Sequence, residues 1–162
     1  MIDLEYYKES IIRVNSIKSF PFDLKSPNGR FSLVGQSDGN LYLVDHSNDK
    51  VLWDAGSYKK YGSRYLYRMT FQKDGNLVIY ANRNGLYDDS VWATGNLFVP
   101  NGDFFLSSVN SSMYILQDDG NLVLYFNLDG GNANIDTIVR IQPIAETRTW
   151  NGRKSTHWEQ IK

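Results

Sequence analysis

Phe71-Gln72-Lys73-Asp74-Gly75-Asn76-Leu77-Val78-Ile79-Tyr80 decides the fold, because its pattern recurs along the chain. A second copy runs Gln117-Asp118-Asp119-Gly120-Asn121-Leu122-Val123-Leu124-Tyr125. An altered one runs Gln36-Ser37-Asp38-Gly39-Asn40-Leu41-Tyr42-Leu43-Val44. Three ordered copies of one motif are the mark of a repeat protein. Read as a strand with side chains alternating between faces, each copy splits into two sides. Gln72, Asp74, Asn76, Val78 and Tyr80 share one side, and Gly75, Leu77 and Ile79 share the other. The apolar side supplies a common core, to which Leu41, Leu43, Leu122 and Leu124 add in the other copies. The polar side sets amide, carboxylate, amide and phenol in a row at steps of about 6.8 Å, near the breadth of a sugar ring.

Asp74-Gly75 between apolar runs also fits a type I′ hairpin turn. A turn alone has no use for Gln two residues before the Asp and Tyr six after it, and on that ground the strand reading is preferred.

The pattern Gln-x-Asp-x-Asn-x-Val-x-Tyr resembles the sugar-site motif of the bulb-type, or monocot mannose-binding, lectins. Each copy is followed by a Trp-bearing stretch like that family's second marker: Val51-Leu52-Trp53-Asp54-Ala55-Gly56, Val91-Trp92-Ala93-Thr94-Gly95-Asn96 and, less closely, Thr149-Trp150-Asn151-Gly152. The resemblance spans residues 17 to 158. It implies an all-β, β-prism II fold: three antiparallel sheets about a pseudo-threefold axis, with the Trp residues packed at the centre. The organisation expected is an N-terminal extension over residues 1–20 and one lectin domain over 21–162. Its repeats fall at 21–57, 58–96 and 97–158.

Composition agrees. A chain of 162 residues fits one domain with a sizeable core. Eleven Tyr, eight Phe, four Trp and thirteen Gly suit short strands joined by tight turns. The net charge of −1 argues against a nucleic-acid partner, and no apolar run approaches a membrane span. There are no cysteines, so neither a disulfide nor a thiolate metal site can form. This departs from the plant lectins, whose repeat carries a disulfide; the matching motif position here is Gly39.

Residues 1–9 carry Asp3, Glu5 and Glu9 and lack a secretory pattern, so the protein is expected to be cytoplasmic or released without a signal peptide. Leu4, Tyr7, Ile11 and Val14 would suit a short helix. The β-branched run from Ile11 to Ile17 favours a strand covering a sheet edge or a partner subunit. In the first repeat Ser26-Pro27-Asn28-Gly29 is a turn, and the site is damaged. Val44 stands where Tyr is expected and Tyr42 where Val is expected, so the constellation Gln36, Asp38, Asn40, Tyr42 and Val44 should bind weakly or not at all, unless Tyr42 stacks on a ring and alters the specificity.

Tyr58 to Arg68 mixes basic and aromatic residues. It reads better as a strand face of Tyr65, Tyr67 and Met69, with Lys59-Lys60 on a solvated hairpin, than as a nucleic-acid surface. A second polar hairpin falls at residues 81–90. The third repeat has an Asn101-Gly102 turn, a polar loop at 129–134 and an added strand at 138–144 that Pro143 ends or confines to an edge. Asn110-Ser111-Ser112 spells a glycosylation sequon and, without an export signal, reads as chance. Thr147 to Trp158 resembles the family's last strand, which crosses to a partner in many relatives; a homodimer is the expectation that follows.

Nothing points to catalysis, a metal or a cofactor. His46 and His157 lie far apart in sequence, Asp88-Asp89 and Asp118-Asp119 would point to opposite faces of strands, and each repeat offers only one motif carboxylate. By resemblance, Asp74 and Asn76 would hold one sugar hydroxyl, Gln72 and Tyr80 others, and Val78 the ring carbons. Gln117, Asp119, Asn121, Val123 and Tyr125 would repeat these roles. The expectation is a lectin for mannose or mannose-rich glycans, with a cytoplasmic interaction scaffold on the same fold, or a defence or toxin-associated lectin aimed at cell-surface glycans, as rivals.

Overall fold

The structure, a computed structural model, describes residues 2–95, 112–127, 138–139, 141–156 and 158–160. The Asn101-Gly102 turn, the 129–134 loop and Asn110 of the sequon lie outside them.

Three antiparallel sheets carry the chain. The first orders Phe22–Lys25, Phe31–Gly35, Leu41–Asp45 and Lys50–Asp54 as they occur in sequence. The second orders Ile17–Ser19, Leu66–Phe71, Leu77–Arg83 and Leu86–Ala93. The third orders Ile11–Arg13, Met113–Leu116, Leu122–Asn127, Ile141–Glu146 and Glu159–Gln160. A small ladder joins Ile2–Asp3 to Ile138–Val139.

The outer strand of each sheet comes from one stretch near the N-terminus. Ile11–Arg13 pairs with Met113–Leu116, Ile17–Ser19 with Leu66–Phe71, and Phe22–Lys25 with Phe31–Gly35. The division at residue 20 therefore does not follow the sheets. Much of the segment set apart as an extension is built into two of them; the stretch from Ile11 to Ile17, expected as one strand, is two, broken by a turn at Val14-Asn15 where Asn15 takes φ of +68°.

Alternation turns one side of every sheet inward. Phe31, Leu33, Leu43, Phe71, Ile79, Tyr114, Leu116 and Leu124 are all fully buried and belong to a single cluster. Trp53 and Trp92 meet there edge to face at 5.5 Å, a geometry that aromatic pairs favour. The third repeat departs from the expected pattern. Trp53 lies opposite Leu43 and Trp92 opposite Ile79, but the residue opposite the equivalent Leu124 is Ala145. Trp150 instead sits half-buried in a 3-10 turn, Trp150–Gly152, with the guanidinium of Arg153 4.6 Å from its ring. The third strand of this repeat is Ile141–Glu146, so the Trp stretch falls beyond the sheet. Trp158 returns an indole to the core, 5.6 Å from Tyr114.

Pro143 lies within that strand, opposite Tyr125, where the register slips. Glu159–Gln160 pairs only with Ala145 and Glu146, so the proline's missing N–H falls where no outer strand asks for it. The C-terminal segment closes on its own chain, with the amide of Ser155 donating to the Leu52 carbonyl at 2.8 Å. The described part of Thr147 to Trp158, expected as a strand, is instead irregular around the Trp150–Gly152 turn. Lys59 and Lys60 lie not on a hairpin but around two 3-10 turns, Ser57–Lys59 and Gly62–Arg64. Ser57 anchors them by donating its hydroxyl to the Gly39 carbonyl at 2.7 Å and its amide to Asn40 Oδ1 at 3.1 Å.

Candidate carbohydrate site

Neither reading of the motif survives unchanged. Each copy bridges two strands through a three-residue loop. In the second, Gln72 N–H donates to the Asn76 carbonyl at 2.9 Å, and Gly75 N–H donates to the Gln72 carbonyl at 3.0 Å. The same two bonds recur at Gln36, Gly39 and Asn40 and at Gln117, Gly120 and Asn121. The glycine adopts φ of +90°, +95° and +92° in the three loops, as the left-handed residue closing a three-residue hairpin must. The two-residue type I′ turn is one residue too short, and a continuous strand would not reverse. The polar side chains nonetheless converge, because the loop folds Gln72 back over the strand that carries Tyr80.

Part of the motif serves the loop itself. The amide N–H of the Asn donates to the Asp carboxylate in every copy: Asn40 to Asp38 at 2.9 Å, Asn76 to Asp74 at 3.0 Å, Asn121 to Asp119 at 2.9 Å. The Asn Oδ1 then accepts an amide from the segment that follows, Ser57 in the first copy, Gly95 in the second and Thr149 in the third. These bonds persist in the degenerate first copy, so Asp and Asn hold the loop together whether or not a ligand binds. Sequence reading assigned both residues to a ligand only; the side chain-to-backbone preferences of Asx residues were the available signal.

A second layer separates the intact copies from the altered one. Tyr80 donates its hydroxyl to Gln72 Oε1, and Gln72 Nε2 lies 3.3 Å from Asp74 Oδ2. Tyr125, Gln117 and Asp119 repeat this relay, with 3.1 Å between Gln117 Nε2 and Asp119 Oδ1. Val44 offers no hydroxyl to continue the relay at Gln36. The structure therefore brings together Gln72, Asp74, Asn76 and Tyr80, and separately Gln117, Asp119, Asn121 and Tyr125. Val78 and Val123, expected to meet a sugar ring, are only 3% and 2% exposed and offer a ligand little surface. At the first copy, an open depression of about 710 Å³ is lined by Phe22, Asp23, Val34, Gln36, Asp38 and Tyr42.

The two intact sites are not equal. In the second, Asn76 Nδ2 donates to no side chain or carbonyl among the described residues, and Asp74 is exposed. In the third, Asn121 Nδ2 donates to Glu146 Oε2 at 3.3 Å, and Asn121 is buried. Residues 4–7 lie alongside: Tyr6 donates its hydroxyl to Asp118, and Tyr7 packs in a cluster with Leu4, Met113 and Tyr125. Burial, with Asp119 and Tyr7 close by, pushes the Tyr125 phenol up to about 12. Burial, with Asp118 and Asp119, also raises that of Tyr7. Among the described residues no group of three or more His, Asp or Glu side chains could hold a metal ion, and no helix is long and apolar enough to cross a membrane.

No family model and no curated protein matches the chain. Solved structures do. The chain is similar to monomeric monocot mannose-binding lectins from Gastrodia elata at 24% identity, over 89% of this chain and 99% of that one, with a TM-score of 0.61. It is similar to a lectin from Allium sativum at 25% identity, over 72% and 92%, with a TM-score of 0.54. It is similar to the mannose-specific agglutinin of snowdrop, Galanthus nivalis, solved with methyl-α-D-mannoside, at 28% identity, over 72% and 88%, with a TM-score of 0.53. Three antiparallel sheets, a thrice-repeated polar hairpin and these likenesses lead to one conclusion: the chain has a β-prism II frame like that of the carbohydrate-binding, bulb-type lectins to which it is similar.

Proposed function

We propose that the protein binds mannose or mannose-rich glycans, chiefly through the second hairpin and more weakly through the third. The observation that carries this is the relay from Tyr80 through Gln72 to Asp74, repeated from Tyr125 through Gln117 to Asp119 and without its hydroxyl at Val44. The Asp-Gly-Asn loop forms in all three copies, the relay only in two, where it sets a carboxylate acceptor beside amide donors. Vicinal hydroxyls, each a donor and an acceptor, complement that pairing. The snowdrop relative, solved with a mannoside, supports mannose as the first sugar to test. The second site ranks first because Asp74 is exposed and the Asn76 amide donors are unspent among the described residues, whereas Glu146 engages Asn121 Nδ2. A shallow single-sugar site should bind at about millimolar strength, about −4 kcal/mol, so useful avidity comes from presenting more than one site.

Titration calorimetry with methyl α-mannoside tests the proposal on the native protein and on Asn76→Asp. That substitution keeps the Oδ1 acceptor that holds Gly95 but replaces the amide donors with a second negative charge beside Asp74. Most of the binding heat should disappear. Folded native protein that gives no heat at millimolar sugar would overturn the proposal, and undiminished heat from Asn76→Asp would remove the second hairpin from the site.

A further inference from the structure

The position directly across the ladder from the last motif residue differs in each copy. Ser32 faces Val44, Arg68 faces Tyr80 and Met113 faces Tyr125. Ser32 is fully buried, with its hydroxyl 2.7 Å from His46 Nε2. Met113 is fully buried beside Leu4, Ile11 and Ile115. Arg68 alone is charged and partly exposed. Its guanidinium carbon lies 5.1 Å from the ring centre of Tyr80 and 5.1 Å from that of Tyr87, so two aromatic rings hold the head group on the side of the sheet where Tyr80 meets Gln72.

Arg68 forms no ion pair or hydrogen bond among the described residues. The described carboxylates nearby are otherwise engaged: Asp74 with Gln72 and the Asn76 amide, Asp89 with Tyr61, Lys60 and Arg83. A guanidinium held between two rings, with its fork of N–H donors unspent among the described residues, is suited to a planar or tetrahedral anion and has little to offer a lone neutral hydroxyl.

We propose that the second site is built for an acidic saccharide, one whose ring hydroxyls meet Asp74, Asn76 and Gln72 while a carboxylate or sulfate ester beyond Tyr80 meets Arg68. This rests on the reading of the second hairpin as a sugar site. The cross-strand position then sets the second hairpin apart: Arg68 reaches the surface there, whereas Met113 and Ser32 are fully buried and offer a ligand no charge.

The test is a titration of the whole chain with methyl α-mannoside, mannuronate and mannose 6-sulfate, at low and at physiological salt. At least one anionic sugar should bind about tenfold tighter than the neutral one, the gain expected of one charge-assisted pair, and the advantage should shrink as salt rises. Whichever anion gains more identifies carboxylate or sulfate as the group recognised. Arg68→Gln should bring the ratio of anionic to neutral affinity close to one, and Arg68→Lys, which keeps the charge but not the fork, should retain part of it. Neutral and anionic sugars bound equally by the native chain would overturn the proposal and leave the mannoside reading standing. An anionic preference that survives in folded Arg68→Gln would overturn it by placing the anion elsewhere, and no binding of any sugar would overturn both readings.

Discussion

Replacing Gly120 by alanine should destabilise the fold by about 3 kcal/mol. Two costs combine. A residue with a Cβ pays about 1–2 kcal/mol for left-handed backbone, and Gly120 has φ of +92°. That Cβ would also lie 2.6 Å from Cε1 and 2.8 Å from Cζ of Phe31. Phe31 is fully buried in the common core, and crowding a packed interior costs about 1–3 kcal/mol. Gly39 repeats the arrangement, its Cβ position 2.4 Å from Cζ of Tyr67. Gly29, with φ of +74° and nothing within 4 Å, isolates the backbone cost, so Gly29→Ala should lose only about 1 kcal/mol. Denaturant midpoints of the three variants decide the matter. Equal, small losses at Gly120 and Gly29 would show that the Phe31 ring yields. Because Asp119 and Asn121 flank Gly120, the sugar binding proposed for the third hairpin should weaken with the loop.

Asp45→Ala should cost about 2 kcal/mol, the scale of hydrogen bonds to a buried charge. Asp45 is fully buried and accepts from Arg30 Nε at 3.0 Å and from a terminal guanidinium nitrogen at 2.9 Å. Ser47 adds its hydroxyl at 2.7 Å and its amide at 3.0 Å. The larger loss typical of an orphaned buried partner does not apply, since the Arg30 side chain is 46% exposed and regains water. The Arg30 guanidinium, with help from Ser47 and against the cost of burial, holds the Asp45 carboxyl well below the usual carboxylate range. A folded-state value below the unfolded one of about 3.9 gives stability that is complete above that pH and lost as pH falls beneath it. Native protein should therefore lose stability below about pH 4 more steeply than Asp45→Asn. Parallel acid titrations of the two would show the ion pair to be irrelevant.

Much of the site was legible because its signal is local. Five identities at fixed offsets mark the hairpins, and the swap of Tyr42 and Val44 marks the failed relay. The loop was misread because polar alternation continues through Asp74-Gly75-Asn76 as though the chain were extended. Only the left-handed glycine and the bond from Gly75 to Gln72 reveal the reversal. What stayed hidden is non-local. Nothing near residue 145 says that Ala145, and not a Trp, faces Leu124, and Trp150 drew the assignment by spelling alone. Arg68 was visible within a basic and aromatic run, but its place opposite Tyr80 depends on a strand register that the run does not contain.

The three outer strands wait unequal times for their partners as the chain is synthesised. Phe22–Lys25 meets Phe31–Gly35 almost at once, and Ile17–Ser19 must wait for Leu66–Phe71. Ile11–Arg13 must wait for Met113–Leu116, about a hundred residues later. Until then Ile11 and Ile12 offer an unpaired, β-branched edge, which the 113–116 segment of any neighbouring chain could satisfy equally well. Refolding from denaturant at high protein concentration should therefore yield strand-exchanged dimers on size exclusion, and refolding at high dilution should yield monomers.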